Sequence, residues 1–192
     1  MSPLVIEISI LFAVIILIMA ALWFIIPLAS GLPWVPALDR RIRAAFRLAE
    51  LQPGEMVYDL GAGDGRVLVI AAREFSARAV GIEISPIHCL SALARIRLAG
   101  VGSKASMQWG NFYRSDFSAA DVVFIYATSR YANRIIPLLE TQLKMGARVV
   151  TISSNLDKWQ PECIDRENLV FLYRMPPIFA EMDSSLTEQS FV

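Results

Sequence analysis

The most informative segment of this chain reads Val57-Tyr58-Asp59-Leu60-Gly61-Ala62-Gly63-Asp64-Gly65-Arg66. A short apolar run leads into it and a helical pattern follows, so the glycines lie where a strand turns into a helix. Because glycine has no Cβ, the backbone of such a turn can approach a bound ligand closely. The first turn of the following helix adds free N–H groups and the positive end of the helix dipole. The segment therefore predicts a ligand-binding loop.

Carboxylates in and beside this loop narrow the class of ligand. Dinucleotide-binding loops space their glycines as G-x-G-x-x-G and bind a pyrophosphate at the helix N-terminus. Here the spacing is G-x-G-x-G, with Asp59 before the first glycine and Asp64 inside the loop. These carboxylates would repel a pyrophosphate and suit a cationic amine, such as the methionine end of S-adenosylmethionine. Glu83 ends the next predicted strand, where a carboxylate can accept hydrogen bonds from both ribose hydroxyls.

Strand-length apolar runs alternate with helical stretches around the loop, and Asp39 is predicted to cap the first helix of this series. The alternation predicts an α/β fold with a doubly wound, Rossmann-like parallel sheet whose ligand site lies at the carboxyl ends of the strands. Residues 169–174 and 178–182 are expected to form a C-terminal antiparallel hairpin. The other predicted strands are 56–60, 78–84, 105–109, 121–126 and 148–153, and the helices are 39–51, 65–75, 86–98 and 132–145.

The hydrophobicity of the chain is concentrated near its N-terminus. Its 192 residues are 55% hydrophobic and the mean hydropathy is +0.49, but from Ile8 to Ile26 every residue except Ser9 is apolar. At about 1.5 Å per residue this segment is roughly 28 Å long, close to the ~30 Å hydrocarbon core of a bilayer. We expect residues 1–30 to form a single transmembrane anchor and 31–37 a linker, followed by one domain at 38–182 and a flexible tail at 183–192.

Two other interpretations of this apolar segment stay open, a cleaved signal peptide and a buried core helix. A signal peptide begins with basic residues, whereas residues 1–7 contain neither Lys nor Arg. A core helix that is apolar on all sides needs a large partner surface to cover it. For a single-pass anchor, the positive-inside rule places the domain on the cytoplasmic side, because the segment is followed by Arg40, Arg41, Arg43 and Arg47.

Composition also excludes several classes of protein. Eighteen basic residues balance eighteen acidic ones, which is unlike a protein that works mainly by coating nucleic acid. Cys89 and Cys163 are too few for a disulfide scaffold or for a four-ligand zinc site. We therefore expect neither a nucleic-acid partner nor a metal ion.

The motif at residues 59–65, together with Glu83, resembles the cofactor signature of the class I, seven-strand S-adenosylmethionine-dependent methyltransferases. The N-terminal apolar segment followed by Pro33-Trp34-Val35-Pro36 narrows the resemblance to a small membrane-anchored branch of that superfamily. Residues 146–150 and Trp159-Gln160-Pro161 also fit this branch. Its mitochondrial members methylate lysines of the adenine nucleotide translocase and of the ATP synthase c-subunit.

The resemblance implies roles for single residues of this chain. The loop residues would contact the methionine end of S-adenosylmethionine, Glu83 would hold the ribose, and the segment around Asn111 would meet the adenine. Many relatives have a carboxylate where Asn111 stands, and an amide can still hydrogen-bond the adenine amino group. The residues implied for the cofactor are Asp59, Gly61, Ala62, Gly63, Asp64, Glu83, Asn111 and Phe112.

Three aromatic residues, Trp34, Tyr126 and Trp159, are candidates for the acceptor pocket, because aromatic rings attract ammonium groups. Trp34 would equally suit the membrane interface, and Tyr126 would equally suit packing within the sheet. The expected activity is methyl transfer to a lysine of a membrane-associated protein, which for a eukaryotic source would place the chain in the mitochondrial inner membrane. Two alternatives remain: methylation of a small membrane amphiphile, such as a lipid amine or quinone precursor, and a non-catalytic S-adenosylmethionine-binding assembly protein.

Overall fold

A computed structural model describes residues 2–29 and 35–179 of the chain. The predicted linker residues 31–34 and the predicted tail 183–192 lie outside these ranges. The helices are α1 (Pro3–Ala29), α2 (Asp39–Leu48), α3 (Arg66–Glu74), α4 (Pro86–Leu98) and α5 (Ser129–Gln142), with a 3₁₀ turn at Phe112–Arg114. The strands are β1 (Met56–Leu60), β2 (Arg78–Glu83), β3 (Ala105–Trp109), β4 (Val122–Ile125), β5 (Arg148–Ile152), β6 (Trp159–Gln160), β7 (Cys163–Asp165), β8 (Val170–Arg174) and β9 (Ile178–Phe179).

Seven strands form one sheet in the order β3-β2-β1-β4-β5-β8-β7. The first five strands along the chain pair in parallel, whereas β8 runs antiparallel to both β5 and β7. The order of the strands reverses between β1 and β4, and open α/β sheets bind their ligands in the crevice at such a point. The predicted doubly wound α/β fold is confirmed.

Two apolar cores cover the two faces of the sheet, because successive side chains of a strand point to opposite sides. On β4, Phe124 packs into one core together with α2 and α3, including Phe46 and Leu68. The neighbouring Val123 packs into the other core with residues of α5, including Leu139. Since both faces are covered, the strands read as nearly continuous apolar runs.

The C-terminal strands pair differently from the prediction. An antiparallel hairpin does form near the C-terminus, but it joins β7 to β8. The expected hairpin between residues 169–174 and 178–182 is wrong, because β8 already pairs with β5 on one side and with β7 on the other. The short β9 pairs instead with β6 in a separate two-stranded sheet.

Two helix boundaries also differ from the prediction. The N-cap of α2 is Leu38, so Asp39 is the first helical residue and does not cap the helix. The Asp39 carboxylate lies 3.9 Å from the Arg43 guanidinium and 3.7 Å from that of Arg66. Helix α5 begins at Ser129 and ends at Gln142 rather than spanning 132–145. The chain turns away after α5 because the backbone N–H of Gly146 donates to the carbonyl of Met175 at 2.8 Å.

Helix α1 is apolar apart from Glu7 and Ser9 near its N-terminus. By length and composition its segment Pro3–Ala21 could cross a membrane, and 0% of the most apolar part of that segment is buried. The described residues therefore offer no covering surface of the kind that a buried core helix needs.

Candidate functional site

A cavity of about 730 Å³ opens at the carboxyl ends of β1, β2 and β4. This is the place that the strand order and the glycine loop predict. All the residues predicted for the cofactor line it together with Tyr126, namely Asp59, Gly61, Ala62, Gly63, Asp64, Glu83, Asn111 and Phe112. Val35, Pro36 and Ala37 close one wall, and Ile25 of α1 also reaches the lining.

The glycine loop takes a backbone conformation that other residues rarely adopt. Gly61, Gly63 and Gly65 have φ angles of +94°, +52° and +74°, all in the left-handed region. At Gly65 there is a second constraint, because a Cβ there would lie 2.7 Å from the Cβ of Ala92 on α4. The third glycine therefore allows α4 to pack closely against the start of α3.

Glu83 is held in place by two backbone N–H groups. Its Oε2 accepts a hydrogen bond from Gly63 at 2.9 Å, and its Oε1 accepts one from Ser85 at 2.8 Å. The side chain is buried at the cavity wall. Each carboxylate oxygen has a further lone pair, so this group can still accept hydrogen bonds from a diol such as a ribose.

Asp59 is a buried carboxyl at the end of β1 that lacks a cationic partner among the described residues. Burial, followed by the negative charges of Glu83 and Asp64, raises its pKa well above the usual range for an aspartate. A cationic ligand beside this group would favour its ionised form. The site is thus electrostatically suited to the ammonium or the sulfonium of S-adenosylmethionine and unsuited to a phosphate.

Asp64 is arranged differently, because two arginines bind its side chain. The nearest guanidinium nitrogens of Arg66 and Arg95 each lie 2.8 Å from Oδ2. Burial raises the pKa of Asp64, but the hydrogen bonds and charge of Arg66, together with the charge of Arg95, outweigh this and lower it. Arg66 also donates to the carbonyl of Ala37 at 3.1 Å. Asp64 therefore orients a side chain that joins the Val35–Ala37 wall to the glycine loop.

The segment after β3 forms the far end of the cavity. Oδ1 of Asn111 accepts a hydrogen bond from the backbone N–H of Tyr113 at 3.0 Å and so caps the 3₁₀ turn. The ring of Phe112 lies 4.4 Å from that of Tyr113, measured between centroids. The amide NH₂ and the second lone pair of Oδ1 remain to contact a purine.

The three aromatic candidates for the acceptor pocket have different outcomes. Tyr126 lines the cavity, and Trp34 lies outside the described residues. The structure does not bring Trp159 to the cavity lining. Its indole is 1% exposed, packs 5.8 Å from the ring of Tyr173 and donates to Glu140 at 3.2 Å. Trp159 is a core side chain, so we assign it no contact with an acceptor.

Arg134 is a cavity residue that the sequence did not predict, and it lies against Tyr113 of the segment after β3. The guanidinium of Arg134 lies 5.3 Å from the centroid of the Tyr113 ring, and both residues line the cavity near Thr128. The Tyr113 hydroxyl is buried, and none of the described residues hydrogen-bonds to it. Tyr113 belongs to the segment that the resemblance assigns to the adenine, whereas Arg134 belongs to no motif and reaches the site only through the packing of α5.

Comparison with known proteins agrees with this geometry. Residues 59–163 match the ANTKMT methyltransferase domain family. A protein-lysine N-methyltransferase of Saccharolobus islandicus (strain REY15A) is 37% identical over 131 residues, which are 68% of this chain and 81% of that protein. A lysine N-methyltransferase of Mus musculus that is named for the ATP synthase c-subunit is 30% identical over 146 residues, 75% of this chain but only 58% of the mouse protein.

A solved structure adds the identity of the cofactor. The RNA methyltransferase from Salinibacter ruber in complex with S-adenosyl-L-homocysteine is 32% identical to this chain and superposes on it with a TM-score of 0.73. The match covers 77% of this chain and 98% of the Salinibacter ruber chain. S-adenosyl-L-homocysteine is what remains of S-adenosylmethionine after the methyl group has left, so S-adenosylmethionine is the cofactor. The chain belongs to the ANTKMT methyltransferase domain family and is an S-adenosylmethionine-dependent methyltransferase with the seven-strand class I fold.

Proposed function

We propose that this chain methylates the side-chain amine of a lysine in a membrane-associated protein. The observation that carries the proposal is the position of Ile25, because this residue belongs to the apolar helix α1 and also lines the cavity. If α1 spans a bilayer, the cavity lies at the membrane surface. The names of the relatives from Saccharolobus islandicus and Mus musculus support lysine as the acceptor and, for the mouse protein, a component of a membrane enzyme as the substrate.

In this proposal different cofactor residues contact different parts of S-adenosylmethionine. Asp59 faces the cationic methionine end, where Gly61, Ala62 and Gly63 bring the backbone close to it. Glu83 binds the ribose hydroxyls with the lone pairs that its bonds to Gly63 and Ser85 leave free. Asn111 and Phe112 contact the adenine. Asp64 acts through Arg66 and Arg95, by fixing the loop.

The protein's part in catalysis is alignment and control of the acceptor's proton. When bound, S-adenosylmethionine supplies a methyl group on a sulfonium, which a neutral amine takes by in-line displacement as the carbon–sulfur bond breaks towards sulfur. A lysine has an ordinary pKa of about 10.4 and must first lose a proton to solvent. The apolar walls at Ile25, Val35 and Ile84 would desolvate the ammonium, and the positive charge of Arg134 would also favour the neutral form. Tyr126 would orient the amine.

The proposed placement of the chain in the cell follows from the same helix. Residues 1–30 would be a single-pass anchor and 38–182 the catalytic domain, on the cytoplasmic side as the arginines of α2 require. For a eukaryotic source the resemblance to the mitochondrial branch favours the mitochondrial inner membrane. Protease treatment of sealed vesicles of known orientation tests this topology: digestion of the domain from the non-cytoplasmic side would contradict it.

Acceptor classes can be separated in one labelling experiment. The full-length protein is reconstituted in membranes from its source and incubated with S-adenosylmethionine carrying a tritiated methyl group. We expect label in a protein band and, after acid hydrolysis, in methyllysine, and we expect none of it with the Asp59→Asn variant. Label only in the lipid extract would indicate a small amphiphile, and label only in RNA would match the description of the Salinibacter ruber relative. Either result would overturn the lysine proposal, and so would cofactor binding without any transfer.

A further inference from the structure

Helix α4 carries apolar side chains on two opposite faces. The inner face is buried against the sheet through residues such as Cys89, Ala92 and Ile96. Four outward residues fall within about 80° of one another when each residue advances by about 100° around the helix. We name these outward residues the α4 stripe: Ile87, Leu90, Ala94 and Leu98.

The α4 stripe is exposed where a soluble helix would present polar groups. The exposed fractions of Leu90 and Leu98 are 61% and 90%. Ala94 is also exposed, whereas Ile87 is half-buried. Two leucines at this exposure on one helical face are a candidate contact surface, because a lone exposed leucine needs no explanation but a row of apolar residues does.

The apolar surface continues beyond the N-terminus of α4. Ile84 directly follows β2 and is exposed, and Trp109 at the end of β3 is 71% exposed. The indole N–H of Trp109 donates to the carbonyl of Ile84 at 2.9 Å. This bond satisfies the one polar atom of the indole and joins the exposed ring to the segment that leads into the α4 stripe.

Two observations indicate what covers this surface. Helix α1 contacts α4, and Ile25 of α1 lines the same cavity as Ile84, so the apolar helix leaves the domain on this side. Arg97 is exposed next to Leu90 on the helical projection, and no carboxylate in the described residues forms an ion pair with it. Arg97 is therefore available to an anionic group, whereas Arg95 is bound to Asp64.

We propose that the α4 stripe, with Ile84 and Trp109, lies at the boundary between headgroups and acyl chains of an anionic bilayer that α1 spans. Tryptophan favours this depth in membranes, and arginine beside it is attracted to anionic headgroups. The inference rests on the proposed function, because it requires α1 to be a membrane anchor. It goes further in that the domain contacts the bilayer through a second surface and has a fixed orientation.

This orientation has a consequence for the acceptor. The cavity is lined by Ile25 and Ile84, which the proposal places at the level of the headgroups. A lysine that flanks a transmembrane helix of another protein lies at that level too. Docking by the α4 stripe would then hold the site where such a lysine can enter it.

Spin labels attached to single cysteines test the depth of each surface. The full-length protein is placed in nanodiscs of anionic lipid with Cys163→Ser as background. Cys89 stays in place, because burial raises the pKa of its thiol to about 11 and leaves little reactive thiolate. Labels are placed at Leu90→Cys and Leu98→Cys, with Val14→Cys in α1 and the exposed Met145→Cys as the control outside the surface.

Collision rates with oxygen, which enters lipid, and with a nickel chelate, which stays in water, give the depth of each label. We expect the ratio of oxygen to nickel collisions at residues 90 and 98 to exceed that at residue 145 by at least fivefold. Equal ratios at 90, 98 and 145, with residue 14 deep in lipid, would overturn the docking surface and leave the anchor standing. Residue 14 in water would overturn the anchor as well. Dipolar broadening between labels at residue 98 of two chains would show that the stripe joins copies of the protein, which also contradicts docking to lipid.

Discussion

The Glu83 carboxylate accepts a hydrogen bond from the backbone N–H of Gly63 at 2.9 Å, across the turn between β1 and α3. The last residue of β2 is thereby fixed against the glycine loop. One side chain sets both the shape of the loop and the position of the oxygens that would face a ribose.

The Glu83→Gln variant should therefore bind S-adenosyl-L-homocysteine at least tenfold more weakly. An amide cannot accept the bonds of both Gly63 and Ser85, and hydrogen bonds to charged groups contribute about 1.5–3 kcal/mol each. Calorimetric titration measures the affinity. The matched control is Glu162→Gln, since Glu162 pairs with Arg174 on the surface. Unchanged affinity in Glu83→Gln would contradict the ribose assignment.

Arg66 should stabilise the fold more than an arginine in an ordinary surface pair does. Its guanidinium binds Asp64 and donates to the carbonyl of Ala37, so Arg66→Met breaks a partly buried link at a cost of about 1–2 kcal/mol. Arg43→Met is the control, because the Arg43–Glu74 pair is more exposed and exposed ion pairs contribute little to stability. Urea unfolding compares the two variants, and an equal loss in both would show that the link to Ala37 adds nothing.

The pH dependence of stability should carry opposite signs for Asp59 and Asp64. Because the pKa of Asp59 is raised in the folded state, its carboxyl contributes to stability in the protonated form. This contribution to stability is fully present below the unfolded pKa of about 3.9 and is lost as the pH rises through the folded pKa. The pKa of Asp64 is lowered, so its contribution is present at neutral pH and is lost on acidification. In the absence of cofactor, Asp59→Asn should gain stability over the wild type as the pH rises from about 4 to about 7. The wild type should keep its stability advantage over Asp64→Asn across that range and lose it as the pH falls below about 4.

Unfolding of both variants at several pH values, without cofactor, measures these differences. The exposed Glu167→Gln serves as the control. Binding of the cationic cofactor should also ionise Asp59 and release protons, which calorimetry in buffers of different ionisation enthalpy detects. A stability difference for Asp59→Asn that does not change with pH would contradict the raised pKa.

Gly65 should be intolerant of a Cβ for two separable reasons. Gly65→Ala places a left-handed φ on alanine and brings its Cβ to 2.7 Å from that of Ala92. Gly54→Ala imposes only the first penalty, since nothing lies within 4 Å of its added Cβ. Gly65→Ala should therefore cost about 1–3 kcal/mol more than Gly54→Ala. Adding Ala92→Gly should recover part of the loss, and a double-mutant cycle without coupling would contradict the close contact.

Local patterns were enough to predict the strands that build the site. The glycine spacing and the apolar runs placed Asp59 and Glu83 at the ends of β1 and β2, and parallel pairing then brings these residues to one edge of the sheet. These two placements depend on residues close in sequence and on the general rules of α/β sheets. The place of Phe112 at the adenine comes from the resemblance to the class I methyltransferases, which implies that role for the segment after β3.

Long-range packing was beyond the reach of those patterns. The Asp64–Arg95 bond joins the loop to α4 across 31 residues, and nothing local marks Arg95 as its partner. Trp159 looked like an acceptor residue because aromatic rings suit both pockets and cores, and only its burial against Tyr173 decides between them. The β7–β8 pairing is not predicted, because a local sequence pattern marks strands but does not show which strands pair. In the structure β8 lies between β5 and β7.

Methyllysine on a membrane protein of the source organism is the most direct test of lysine methylation at the membrane. Membrane proteins from cells that lack this chain are compared, by mass spectrometry of tryptic peptides, with those from cells that carry the wild type or the Asp59→Asn variant. We predict a methylated lysine beside a membrane-spanning segment in the wild type alone. An identical set of methyllysines in all three membranes, with a methylated lipid or RNA lost instead, would contradict the proposed function.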